Sequence, residues 1–207
     1  MNNTREQILL AALKLFAKDG YEAVSMRNIA GRLGITQGAL YKHYTNKRAI
    51  FDAILERMEE KDMARAKAFN VPEGRFSEMS GKYRNATLEA VKQFTVAQYI
   101  YWTQDEFASD FREMLTLEQY RNSEMAALYQ QYFAYGVIAY LEDLFREMTQ
   151  FNECGLKNPK LLALQFFAPV YMMMYMDGME NQETASALIE KHVDYFMNTI
   201  KNGRKAP

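Results

Sequence analysis

Cysteine, histidine, proline and glycine are all scarce in this chain of 207 residues, and each shortage removes a class of protein. The one cysteine, Cys154, has no partner within the chain for a disulfide and cannot anchor a cysteine-rich metal site, which points to a reducing compartment. The two histidines, His43 and His192, fall in widely separated segments, and no HExxH, Glu-x-x-His, CxxC, GxSxG or glycine-rich phosphate loop is present. No metal, cofactor or catalytic residue is therefore expected, and the chain does not read as an enzyme. Long hydrophobic runs are also missing. The strongest candidate, "LLALQFFAPVYMMMYM" over residues 161–176, is shorter than the roughly 20 residues a bilayer core requires. It also contains Gln165 and Pro169, so it reads as a helix buried in protein. The N-terminus "MNNTREQILLAALKLF" lacks a signal-peptide cleavage pattern, and a cytoplasmic protein without membrane contact is expected.

What the chain does have is apolar residues, 49% of the total, recurring every three or four positions. With only four prolines and ten glycines to interrupt them, this spacing predicts an all-α fold of about nine helices. Thr4 with Gln7 forms a capping box for a first helix that turns Ile8, Ala11, Ala12, Leu15 and Phe16 inward and ends at Gly20. Ser25 caps a second helix closed by Gly34, Thr36 caps a third running to about Tyr44, and Asn46 opens a long fourth reaching about Phe69. "NVPEGRFSEMSG" then breaks the chain. Further helices are expected over 83–103, 105–117, 118–150, 159–177 and 182–201, with Asn158-Pro159 as a start and Asp177-Gly178 as a stop. Residues 1–48 read as one module, 47–69 as a linking helix, and 70–207 as a second domain.

Negative charge is absent from one long stretch. Between Ala23 and Phe51 there is no Asp or Glu, while Arg27, Arg32, Lys42, Lys47 and Arg48 supply +5; a formal net charge of -1 leaves -6 for the remainder. A cationic face on an acidic body suits a polyanion. The same stretch holds two short helices joined by "LGI" with a first helix crossing them, the layout of a helix-turn-helix module. On the third helix, Leu40 and Tyr44 are spaced to anchor inward. Gln37, Gly38, Tyr41, Lys42 and His43 are left outward. The Gln37 amide, in the first turn, can donate and accept together as an adenine edge requires, and Gly38 permits close backbone approach. Tyr41, Lys42, His43 and Lys47 can donate to phosphates, and Arg27 can reach a phosphate or a guanine edge. The bland alternative for Tyr41 is a surface aromatic packed on its neighbour.

Residues 5–55, and above all "AALKLFAKDGY", "SMRNIAGRLGIT" and "GALYKHYTNK" in that order and spacing, resemble the DNA-binding domain of the TetR/AcrR family of bacterial transcriptional regulators. The resemblance implies a homodimer on a palindromic double-stranded DNA operator, usually repressing, with a C-terminal helical domain for ligand binding and dimerisation and a small-molecule inducer. Carried onto this chain, the family's base and phosphate contacts fall on Arg27, Thr36, Gln37, Gly38, Tyr41, Lys42, His43 and Lys47. Two positions depart from the pattern: Tyr44, where phenylalanine is commoner, and Asn28, where an acid is frequent. A DNA-binding protein without an inducer, organising the chromosome or recruiting partners, is the alternative that the same module would serve.

Beyond about residue 70 the resemblance fades and residue chemistry stands alone. Most of the 14 Met, 14 Tyr and 13 Phe lie there, and such adaptable or flat side chains suit an apolar or aromatic ligand as well as an ordinary core. Pocket candidates are Phe94, Gln98, Tyr101, Trp102, Phe107, Phe111, Tyr132, Phe133, Tyr135, Phe167, Tyr171 and Met174. Asp105, Glu106 and Asp177 read as solvated helix-end residues. The last two helices carry more apolar surface than one helical layer needs; with the resemblance, Leu188, His192, Val193, Phe196 and Ile200 are expected at a dimer interface.

Overall fold

A computed structural model describes residues 4–70, 87–150, 158–176 and 182–202. Cys154, the stop at Asp177-Gly178 and the breaker from residue 71 onward lie outside them. Among the described residues every regular element is a helix: α1 (Thr4–Asp19), α2 (Met26–Leu33), α3 (Gln37–Tyr41), α4 (Lys47–Ala68), α5 (Leu88–Gln104), α6 (Glu106–Glu118), α7 (Ser123–Phe133), α8 (Tyr135–Gln150), α9 (Pro159–Met174) and α10 (Gln182–Asn202). None of these is long and apolar enough to cross a membrane.

The chain forms two compact units. Unit 1 comprises residues 1–62 with 104–129, and unit 2 comprises 63–103 with 130–207. Thus α6 and most of α7 belong with the three N-terminal helices, while α4 contributes to both units.

Local signals place most helix starts in unit 1. Ser25 accepts from the Asn28 backbone, and the Asn28 side chain accepts from the Ser25 amide, so the departure at residue 28 completes a reciprocal cap. Thr36 Oγ1 accepts from Ala39 at 3.1 Å and Asn46 Oδ1 from Ala49 at 2.8 Å. Gly34, at φ +67°, ends α2 in a left-handed conformation, with Ile35 N donating to Ala30 O and Gly34 N to Gly31 O. Two expectations shift. Thr4 is the first residue of α1 rather than its cap. The third helix stops at Tyr41, because beyond it the His43 and Tyr44 amides both turn back to the Leu40 carbonyl.

α1 packs against both α2 and α6. It accordingly buries two adjoining stripes, Ile8, Ala12 and Phe16 beside Leu9, Leu13 and Ala17, instead of the single face expected. From α4, Ile50, Phe51, Ile54 and Met58 are wholly buried, and from α6 so are Ala108, Phe111, Met114 and Leu115.

In unit 2, α8 packs along α9, and α10 packs on α9. Asn158 caps α9 through Leu161 N at 3.1 Å with Pro159 in the first turn. Phe145, Phe166 and Phe196 form its aromatic centre, with ring separations of 5.1 to 5.6 Å. The single helix expected over 118–150 is instead two, preceded by a turn over 119–122. Asn122 caps α7 through the Glu124 and Met125 amides, and a bend at Ala134 separates α7 from α8. Gly136 follows that bend with its Cα so close to the preceding turn that a Cβ would lie 2.0 Å from the Gln131 carbonyl oxygen. Periodicity continues through such a bend, which is why spacing alone does not reveal it.

Candidate nucleic-acid interface

The α3 face is built from both sides of one short helix. Leu40 is fully buried and Tyr44 nearly so, and they hold the helix on unit 1. The Tyr44 hydroxyl donates to the Arg5 carbonyl at 3.4 Å, and the Arg5 guanidinium stands over its ring. The departure from phenylalanine therefore ties α1 to the end of the α3 turn. Opposite these anchors Thr36, Gln37, Gly38, Tyr41, Lys42 and His43 are exposed, and Arg27 is exposed near the start of α2. Tyr41 retains 48% of its surface, so its ring is not consumed by packing.

Lys47 stands apart from that group. Its ammonium donates to the Tyr21 carbonyl at 2.6 Å and the Glu22 carbonyl at 3.3 Å, and sits 4.2 Å from the Tyr21 ring centroid. The neighbouring Arg48, counted with the cationic stretch in the sequence, bonds Asp52 and Glu124, each at 2.6 Å. Those two carboxylates push its proton affinity up further. The acid-free segment thus meets acids from elsewhere in unit 1 at one end, while Arg27, Arg32 and Lys42 stay exposed. Sequence reading could not find the Arg48 contact, because Glu124 lies 76 positions away.

The pocket candidates divide between the units. Phe107 and Phe111 are buried in unit 1, with the Arg57 guanidinium 4.8 Å from the Phe107 centroid. In unit 2, Tyr101, Trp102, Tyr132 and Phe133 form one aromatic cluster, with Trp102 edge-on to Tyr101, Tyr132 and Phe133 at 5.2, 6.1 and 4.7 Å. Arg65, which sequence reading did not single out, covers the Tyr101 ring at 3.3 Å, and the buried Gln98 side-chain oxygen has no hydrogen-bond partner. Phe94 packs edge-on to Phe69 at 5.9 Å. Phe167 and Tyr171 form a further ring pair, Met174 is buried, and Tyr135 is 69% exposed at the α7–α8 bend. A cavity of about 390 Å³ lies beside Phe69, Asn70, Thr87, Glu89 and Gln93, and none of the twelve candidates lines it. Asp105 proves to be the cap of α6, accepting from Ala108 at 3.0 Å, and it pairs with Lys61, while Glu106 pairs with Lys14.

Of the expected interface residues, Val193 and Phe196 are buried inside unit 2, and the His192 ring nitrogen bonds the Phe166 carbonyl at 2.8 Å. Leu188 is exposed, and Ile200 lies further along the same helix. The exposed apolar side chains nearby are Leu161, Leu164 and Met172 on α9 and Tyr195 on α10.

Comparison with known proteins bears on the same N-terminal helices. The sequence profile of the family described as bacterial regulatory proteins, tetR family, matches residues 8–54. The chain is similar to the class C tetracycline repressor protein of Escherichia coli, 46% identical over 54 residues, which are 26% of this chain and 25% of that one. It is also similar to the nucleoid occlusion factor SlmA of Yersinia enterocolitica, 36% identical over 64 residues, 30% of this chain and 32% of the relative. The chain therefore spans only about a quarter to a third of the length of these relatives. Across nearly the whole chain the fold is similar to that of SmeT, from Stenotrophomonas maltophilia, in its complex with triclosan, with a TM-score of 0.64 at 20% identity, covering 95% of this chain and 90% of that one. With the family's profile lying on the module that presents Gln37 and an all-helical body following it, residues 8–54 are similar to the tetR family of bacterial regulatory proteins.

Proposed function

We propose that this protein is a ligand-responsive transcriptional regulator that binds a palindromic operator as a homodimer, most naturally as a repressor released by a small apolar or aromatic inducer. The observation that carries the reading is the exposed, acid-free face of α3 and its cap, Thr36 to His43, held by the buried Leu40 and Tyr44. In this reading Gln37 reads a base edge, Thr36 and Gly38 let the start of α3 approach the duplex, and Arg27, Tyr41, Lys42 and His43 fix the backbone register. Residues 1–48 act as the DNA-binding head and 70–207 as the ligand and dimerisation domain. Inclusion of α6 in the compact unit of the head supports a coupling in which displacement of α6 carries α1 to α3 with it.

The aromatic cluster of Tyr101, Trp102, Tyr132 and Phe133, with Gln98 beside it in sequence, supports an inducer having a flat apolar body and one hydrogen-bond donor. For the dimer, the exposed Leu161, Leu164 and Met172 of α9 and Leu188 and Tyr195 of α10 supply accessible apolar surface, while Val193 and Phe196 are buried. Selection of bound duplexes from a random pool tests the central claim. A recovered site with twofold symmetry is the expected result, and recovery of no preferred sequence would contradict it. The similarity to a nucleoid occlusion factor favours a second reading, DNA binding without an inducer. Compounds that release the selected duplex would exclude that one.

A further inference from the structure

We infer that Lys47 is a positioning residue of the DNA-binding head: its ammonium clamps the turn between α1 and α2 onto the start of α4 and does not contact phosphate. The inference rests on the DNA-binding reading of unit 1 and assigns a different task to one residue within it. An ammonium has three protons to give. Two carbonyls of the turn, Tyr21 and Glu22, lie at 2.6 and 3.3 Å from Nζ, and the Tyr21 ring face lies at 4.2 Å. The Glu22 carboxylate is 4.0 Å away, and the Lys47 side chain keeps only 22% of its surface. That carboxylate places a negative charge on the side of the ammonium that faces the turn.

The clamp is seated on the core. Tyr21 lies between Phe16 of α1, edge-on at 5.0 Å, and Phe51 of α4, tilted at 5.2 Å, both fully buried. Turning Lys47 outward would leave two turn carbonyls without their donor and strip the cation from the Tyr21 ring. Held inward, it fixes the path by which the chain leaves α1 and enters α2, and so the placement of α2 and α3 relative to α4. Contact with phosphate then falls to exposed groups such as Arg27 and Lys42.

Acetylation of lysine amines in the intact protein, read residue by residue by mass spectrometry with and without a random-sequence duplex, tests this. Lys47 should react several-fold more slowly than Lys42 in the free protein and keep that rate on the duplex, whereas Lys42 becomes protected. Equal rates in the free protein, or protection of Lys47 by the duplex, overturn the clamp. Salt titrations supply a second test. Lys42→Met should flatten the slope of log affinity against log salt by about 0.9 per protomer. Lys47→Met should lower affinity several-fold at every salt concentration with the slope unchanged, and should speed amide exchange over residues 21–24. Unchanged affinity, or a slope loss matching that of Lys42→Met, overturns the inference. If the wild type holds no duplex at all, the DNA-binding reading fails, and the acetylation rates in free protein still decide whether the clamp exists.

Discussion

Gln37 stands at the start of α3 with its side chain in solvent and no acid on the same face, so its amide is free to pair with a base edge. Gln37→Ala should cost about 1–3 kcal/mol on a selected site and almost nothing on random duplex; equal losses on both would make it a backbone contact. A different residue governs a pH response. Burial pushes the Asp110 carboxyl above its ordinary value of 3.8, with Lys14 opposing. A raised folded value means that the native state holds the proton more tightly than the unfolded chain. Stability from this group is therefore fully present below the unfolded value and is lost as pH rises through the folded one. Asp110→Asn should gain stability over the wild type as pH rises through the acidic range and then hold a constant advantage. Urea unfolding at a series of pH values checks this, and an advantage that shrank on raising pH would contradict it.

At the level of elements, caps and bends carry the specific information. Thr36 Oγ1 satisfies one amide at the start of a helix of only five residues, so Thr36→Ala should cost about 1 kcal/mol and weaken DNA binding with it. The two glycines that matter should behave differently. At Gly34 a Cβ meets nothing within 4 Å, and Gly34→Ala should cost roughly 1–2 kcal/mol from the left-handed backbone alone, with Gly34→Asn less harmful. At Gly136 the added carbon would collide with backbone, which cannot rotate aside. Gly136→Ala should therefore destabilise more than Gly34→Ala in thermal unfolding, despite alanine's better helix propensity. Caps were legible in the sequence because donor and acceptor lie three residues apart. The bend at Ala134 was not, since apolar spacing runs unbroken across it.

For the molecule as a whole, the question is what covers the apolar side chains left on α9 and α10. Leu161 and Leu164 are 50% and 45% exposed in the single chain. A double substitution to lysine should turn the proposed dimer into a monomer in light scattering at micromolar concentration while leaving helicity unchanged; a persistent dimer would move the interface elsewhere. The compact units also join segments that the sequence keeps apart. Residues 104–129 group with the N-terminal helices, an association between segments far apart in the chain that no local pattern encodes.

By itself the sequence determined the helical class, most helix starts, the helix-turn-helix module and which face of α3 is outward. All of these depend on periodicity or on hydrogen bonds reaching three or four residues. Tertiary structure decided where charge ends up. Lys47 is spent on carbonyls 25 and 26 positions earlier. Arg48 is paired with a carboxylate 76 positions later. Composition counts such cations as free, but a desolvated or paired charge offers little to a phosphate, and only the folded chain shows which ones remain available.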